Sequence, residues 1–249
     1  VFQTLAHLTA PALCAVAVNQ HGQRIDLPRE VAEMVHLHQE CIVSFSQPSR
    51  PICTSLCCCD DDQARVAFTM NHGLSIGIKD AGENQSSNGR QQVFDTGHTG
   101  EIFSIAIAPG GTQLVAASRD NTVSIWNIPD PSERRAPTRA CDPIHAHRSH
   151  VLMVVWCPEY HKERGWSFAT AGGDGHIKVW DASKKGRIYA YTKDTDKHNS
   201  SVDLIRYCES APEHLASASN DGRVGIWKVP DKSGELQMIH KLTIGTNIR

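Results

Sequence analysis

The chain has no excess of charge of one sign. Its 25 Lys and Arg are balanced by 27 Asp and Glu, a formal net charge of −2, so composition carries no global signal for nucleic acid. Aromatic residues make up only 6%, and tryptophan is missing from the first 125 positions: Trp126, Trp156, Trp166, Trp180 and Trp227 all follow. No apolar run approaches the ~20 residues that span a bilayer. The stretch from Leu8 to Val18 is apolar but short and has no basic flank before it, so it is not read as a signal peptide. The chain begins at Val1 rather than Met, which fits a processed or truncated start. Cysteine is plentiful but not arranged for pairing. There are nine, an odd number, six of them in the first 60 residues, and Cys57, Cys58 and Cys59 are consecutive, an awkward geometry for three separate disulfides. A reducing compartment, cytoplasmic or nuclear, is therefore expected.

What is present is a repeat. Three segments align on their tryptophans: Ser118 to Trp126, Gly172 to Trp180 and Ser219 to Trp227. In each an Asp (Asp120, Asp174, Asp221) precedes the Trp by six positions, turn-forming residues follow the Asp, and alternating apolar residues then lead to the Trp. That pattern reads as a tight turn feeding a strand. Upstream, His98, His147 and His198 each open a loop before an apolar-alternating run, at 102–108, 151–157 and 202–208. The histidines are 49 and 51 residues apart, a period that marks a repeat architecture.

Gly97-His98 with Trp126-Asn127, Ala146-His147 with Trp180-Asp181, and Lys197-His198 with Trp227-Lys228 resemble the GH…WD signature of WD40 repeats. The resemblance covers residues 98 to about 245 and implies an all-β, WD40-type β-propeller of four-stranded antiparallel blades. The clear blades span 98–146, 147–197 and 198–249, the last including the start of a connection to a further blade. Strands are expected at 102–108, 113–118, 122–127 and 141–146; at 151–157, 167–171, 176–180 and 187–192; and at 202–208, 214–218, 223–228 and 235–243. The resemblance also implies a buried network in each blade of loop His, turn Asp, a strand hydroxyl and Trp: His98, Asp120 and Trp126; His147, Asp174, Thr170 and Trp180; His198, Asp221, Ser217 and Trp227. In the first of these the hydroxyl position holds Ala116, so that network is expected to be incomplete, with Ser118 as the nearest substitute. Ser217, His198 and Asp221 look like a hydrolase triad, but an equivalent set recurs in another blade, which a catalytic triad has no reason to do.

Residues 38–97 read as a degenerate blade, with strands at Cys41 to Phe45, Ala64 to Phe68, Leu74 to Ile78 and Val93 to Asp95, and Lys79-Asp80 where Trp-Asp would stand. Residues 82–92 form a polar loop. Residues 1–37 read as a partial or degenerate blade: a strand from Ala12 to Val18, a turn at Asn19 to Gly22, a return strand from Gln23 to Leu27, and a segment from Pro28 to His38 that fits either a helix face or an outer strand. The count is three clear blades and about two degenerate ones. Closed WD40 rings usually have seven, so the ring is incomplete, completed from elsewhere, or open.

No constellation points to catalysis. Cys57 to Cys59 followed by Asp60, Asp61 and Asp62 offers metal ligands, yet adjacent strand residues point to opposite faces, and a strand passing into an acidic loop is the favoured reading. His145, His147, His150 and His161 are close in sequence, but His147 is already placed in the blade network. No metal, cofactor, small-molecule substrate or membrane insertion is expected. The resemblance implies instead that one face of the propeller binds partners, through the positions three and five after the loop His and the position before the turn Asp: Glu101, Phe103 and Arg119; His150, Leu152 and Gly173; Ser201, Asp203 and Asn220. Phe103 among these charges has the make-up of an interaction hot spot, unless it packs against a neighbouring blade. The basic loop with Ser132, Arg134, Arg135, Thr138 and Arg139 is a second candidate, for contact or for phosphorylation, and the long loop from Cys157 to Trp166 shares its face. The expected role is a non-catalytic scaffold subunit binding other proteins in a larger assembly. The alternative is an RNA-associated subunit of a ribonucleoprotein, reaching RNA indirectly.

Overall fold

A computed structural model describes residues 17–18, 24–25, 56–58, 65–70, 73–80, 91–130, 132–133, 135–160 and 165–243. The chain divides into two compact units, Val1–Ser49 and Arg50–Arg249. In the first, β1 (Ala17–Val18) pairs antiparallel with β2 (Arg24–Ile25). The readings of 12–16, of the intervening turn and of 28–38 lie outside the described residues.

The second unit holds four sheets in chain order. The first comprises β3 (Leu56–Cys58), β4 (Arg65–Met70), β5 (Ser75–Asp80) and β6 (Gln91–Asp95). The second has β7 (Ile102–Ile107), β8 (Gln113–Ser118) and β9 (Thr122–Asn127), with β10 (Thr138–Arg139) and β11 (Ile144–His145) both on the far edge of β9. The third has β12 (Val151–Trp156), β13 (Ser167–Gly172), β14 (Ile177–Asp181) and β15 (Arg187–Tyr191). The fourth has β16 (Val202–Cys208), β17 (Ala211–Ser219), β18 (Arg223–Lys228) and β20 (Gln237–Thr243); the intervening β19 (Gly234–Glu235) crosses back to pair in parallel with β15. Every other pairing is antiparallel. Among the described residues there is no helix, and so no helix long and apolar enough to cross a membrane.

Two strand readings need correction. The strand that pairs with β4 is Leu56–Cys58, not the run at 41–45, which lies outside the described residues. The outer strand read at 141–146 is instead two short pieces, β10 and β11. Cys141, Asp142 and Pro143 fall between them, and Pro143 has no amide hydrogen to continue the ladder.

Alternation along the strands packs the sheets together. Ile125 and Trp126 are neighbours on β9, so their side chains leave opposite faces. Trp126 joins Ala67, Ile76, Ile78 and Ile105 in the layer shared with the first sheet. Ile125 joins Val151, Val154, Phe168 and Trp180 in the layer shared with the third. The same exchange recurs one sheet on, where Val179 meets Val202, Ile205 and Trp227. The second and third sheets are thus each buried on one face by their predecessor and on the other by their successor, a stacking that no single four-stranded sheet could replace. Bonds cross these layers too: Trp156 Nε1 donates to the Ala106 carbonyl (2.9 Å) and the Val154 amide to Ser104 Oγ (3.2 Å).

Candidate functional site: polar cores of the blades and the bulged rim

In the third sheet a neutral imidazole lets each polar group serve once. Trp180 Nε1–H donates to Thr170 Oγ1 (2.9 Å), the Thr170 hydroxyl to His147 Nε2 (2.8 Å), and His147 Nδ1–H to Asp174 Oδ1 (2.9 Å). The Asp174 carboxylate also accepts from the Arg148 amide (2.9 Å) and the His176 amide (3.1 Å). The fourth sheet repeats the chain: Trp227 Nε1 to Ser217 Oγ (2.8 Å), Ser217 to His198 Nε2 (2.8 Å), and His198 Nδ1 to Asp221 (3.2 Å). Burial lowers the pKa of both His147 and His198, against the pull of their Asp partners. Burial on its own would raise Asp174, but bonds from His147 and the backbone amides outweigh it and hold the carboxyl well below its ordinary value.

The second sheet departs from the sequence reading. Its network is complete, and Ser118 is not the substitute: Ser118 Oγ donates to the Gly100 carbonyl (2.9 Å). Ser124 supplies the hydroxyl, accepting from Trp126 Nε1 (2.9 Å) and donating to His98 Nε2 (2.8 Å). The pairing explains the transfer. Ala116 lies opposite Ser124 as Thr170 lies opposite Lys178 and Ser217 opposite Gly225. Directly cross-strand side chains share a face about 5 Å apart, so the hydroxyl reaches the same space from the neighbouring strand. Ser124 stands two positions before Trp126, on the same face, and that spacing was the signal that could have found it. His98 Nδ1 bonds Asp120 Oδ2 (3.0 Å), and Thr122 Oγ1 donates to Asp120 Oδ1 (2.6 Å). Burial opposes ionisation of Asp120, but Thr122 and His98 bring its pKa down to about 2.

The rim at the His end of the inner strands shows a second repeat. The β7–β8 register skips between Ile102 and Ser104, β12–β13 between Val151 and Met153, and β16–β17 between Val202 and Leu204. The residues passed over are Phe103, Leu152 and Asp203, and a bulge re-aims the side chain it carries. Beneath them the amides of Arg119, Gly173 and Asn220 donate to the carbonyls of Glu101 (2.8 Å), His150 (2.9 Å) and Ser201 (3.1 Å). Phe103 is half-buried and meets the ring of His150 on the next sheet edge-on, centroids 6.3 Å apart. His150 Nδ1 donates to the Arg119 carbonyl (2.7 Å). Arg119, His150, Asp203 and Asn220 are exposed, Glu101 and Leu152 half-buried, and Asn220 Nδ2 donates to Ser201 Oγ (2.8 Å).

The basic loop is placed less uniformly. Ser132 is exposed, its amide and hydroxyl both donating to Asp130 Oδ1 (2.9 and 2.6 Å). Arg135 is exposed 3.7 Å from Glu133, Thr138 is exposed on β10, and Arg134 lies outside the described residues. Arg139 sits over the Trp126 ring, 5.2 Å from its centroid, and Nη2 donates to the Thr96 carbonyl. Its charge is engaged within the fold. Cys57 and Cys58 lie on β3, while Cys59 to Asp62 and His161 fall outside the described residues.

Stacked antiparallel sheets of four or five strands, three of them fastened by a His–Asp–hydroxyl–Trp chain, define a set of β-propeller blades. The family model described as "WD domain, G-beta repeat" matches residues 89–127 and 141–181. Over these two segments the chain is similar to WD40 repeats. Each matched segment starts in the outer part of one blade and runs through the inner three strands of the next. Protein transport protein SEC13 of Coccidioides immitis is 27% identical over 165 residues, covering 63% of this chain and 51% of its own length. The guanine nucleotide-binding protein subunit beta of Zea mays is 26% identical over 153 residues, 61% of this chain and 34% of its length. Striatin-3 of Rattus norvegicus is 26% identical over 139 residues, 52% of this chain and 16% of its length. The chain spans about half the length, or less, of these curated relatives.

Proposed function

We propose that this chain is a non-catalytic scaffold subunit that docks other proteins of a multi-subunit assembly on its bulged rim, in the cytoplasm or nucleus. The observation that carries the reading is the matched bulge in three successive inner strands, at Phe103, Leu152 and Asp203. A ladder irregularity repeated at one level weakens each sheet there, and its return is a set of side chains turned out of the ladder. The side chains at this level, Arg119 and Glu101 at the Phe103–His150 edge and exposed Asp203 and Asn220 on the fourth sheet, suit a protein partner: an aromatic anchor accompanied by both signs of charge. The relatives support the reading, since one is named as a subunit and another for protein transport. The loop presenting Ser132, Arg135 and Thr138 is a second contact or phosphorylation surface on this reading.

The test is size-exclusion chromatography with mass spectrometry on the native protein from its own cells. The expected result is elution in a large complex with a fixed set of proteins, lost in Phe103→Ala or Arg119→Glu while melting is unchanged. Elution as a lone chain, or a complex indifferent to both substitutions, overturns the proposal.

A further inference from the structure

A groove runs along the outer edge between the third and fourth sheets, lined by Arg187 and Ile188 on one side and by Asp231, Lys232 and Ser233 on the other, with Tyr189 between. It arises because β19 covers only part of β15. Gly234 and Glu235 pair in parallel with Ala190 and Tyr191, and among the described strands the Arg187–Ile188 end of β15 has a neighbour on one side alone. The covered end is firmly fixed. Glu235 meets Lys193 at 2.6 Å, the Leu236 amide donates to the Tyr191 carbonyl (2.8 Å), and Leu236 is buried. The loop wall is fixed too, because the Tyr189 hydroxyl reaches the carbonyls of Pro230 (3.1 Å) and Asp231. The groove is therefore a preformed gap beside the Arg187–Ile188 start of β15, an edge that the chain's own added strand joins only at Ala190.

The lining says what fits. Asp181 at one end is buried and already paired with Lys184 at 2.8 Å, a locally neutral unit. Arg187 and Lys232 are exposed on opposite walls and have no ion pair among the described residues; Asp231 is the remaining acid. Ile188 is 43% exposed, a large apolar side chain next to these charges. The segment that already occupies this edge is Gly234-Glu235-Leu236: a small residue, an acid that finds a cation, and an aliphatic side chain that is buried. Strand addition supplies affinity through main-chain bonds and specificity through alternate side chains.

We infer that this groove takes a short extended segment of a partner protein, added to β15 in line with β19. It carries a carboxylate set between Arg187 and Lys232 next to an aliphatic side chain laid on Ile188. This surface is separate from the bulged rim and does not depend on the rim's role.

The probe is a fluorescein-labelled synthetic peptide copying residues 232–238 (Lys-Ser-Gly-Glu-Leu-Gln-Met), titrated with the full chain by fluorescence anisotropy. The expected result is saturable binding that weakens at least tenfold in the double variant Arg187→Glu, Lys232→Glu. It also weakens when the peptide's Glu is replaced by Gln, and is unchanged in Phe103→Ala. Thermal melting of the double variant, expected to match the parent, shows that the loss is local. No saturable binding to the parent chain overturns the inference, as does binding indifferent to the charge reversal. So does tighter binding of an oligouridylate with the same dependence on Arg187 and Lys232, which would make the groove a phosphate track.

Discussion

At the position where the third and fourth sheets carry the hydroxyls of Thr170 and Ser217, the first sheet carries Phe68. Phe68 lies opposite Gly77 on β5 as Thr170 lies opposite Lys178. Its ring is fully buried and fills the space over Gly77, where a Cβ would stand 2.4 Å from the ring edge. Lys79 takes the place of Trp. The same backbone frame is thus filled in two ways: by a chain of four polar groups that must all be present, or by one aromatic ring admitted by a glycine. A second substitution accompanies the first. Arg65 is buried and donates to the Gly111 carbonyl (2.7 Å) and the Pro129 carbonyl (3.1 Å) of the next sheet. A blade can therefore give up the polar core of its neighbours, provided its apolar filling and its tie to the next sheet replace it.

That comparison can be broken, and the largest break is in the apolar sheet. Phe68→Ala opens a cavity over Gly77 and should cost about 3–5 kcal/mol in urea unfolding; a cost below ~1 kcal/mol would mean the ring does not fill the blade. Asp174→Ala, which leaves His147 and two amides without their acceptor, should cost about 1–3 kcal/mol. Unchanged melting would sink the claim that the network fastens its blade. Ser124→Ala should fall in the same range of about 1–3 kcal/mol, because Trp126 and His98 both lose their partner. Adding Ala116→Ser should recover most of it by returning the hydroxyl to the strand that carries it in the next two sheets, and failure to recover would break the cross-strand argument.

The smallest expected effect is with pH. His147 and His198 have folded pKa values below their ordinary 6.5, so at acid pH the unfolded chain binds protons that the folded one refuses. Their contribution is complete above pH 6.5 and declines as pH falls below it. The melting temperature should drop by a few degrees between pH 7.5 and 5.5, a change on the order of 1 kcal/mol. Asp120 contributes in the same direction at lower pH, its share lost as pH falls from 3.8 towards 2. A flat melting profile from pH 7.5 to 5.5 would show that the buried imidazoles titrate alike in both states.

Much of this was legible along the chain because it is local. The Asp six before Trp, the turn at Asp174-Gly175 (φ +81 at the glycine) and the period-2 runs set strands β7 to β9, β12 to β14 and β16 to β18 to within about three residues at each end. What escaped depends on pairing across strands. Ser124 for Ala116 and Phe68 with Gly77 are visible only once the register is known. The break of the outer strand into β10 and β11 depended on how Pro143 meets β9, and the crossing of β19 to β15 on a contact between different blades.

The order of strands, the repeat, the near balance of charge and the residue types of each polar core were decided by the sequence, because alternation and turn chemistry act over a few neighbouring residues. Three things were decided by the tertiary structure: which hydroxyl closes each network, which rim residue is turned out by a bulge, and which edge is left uncovered. Each rests on distances between residues far apart in the chain, and only packing sets those distances.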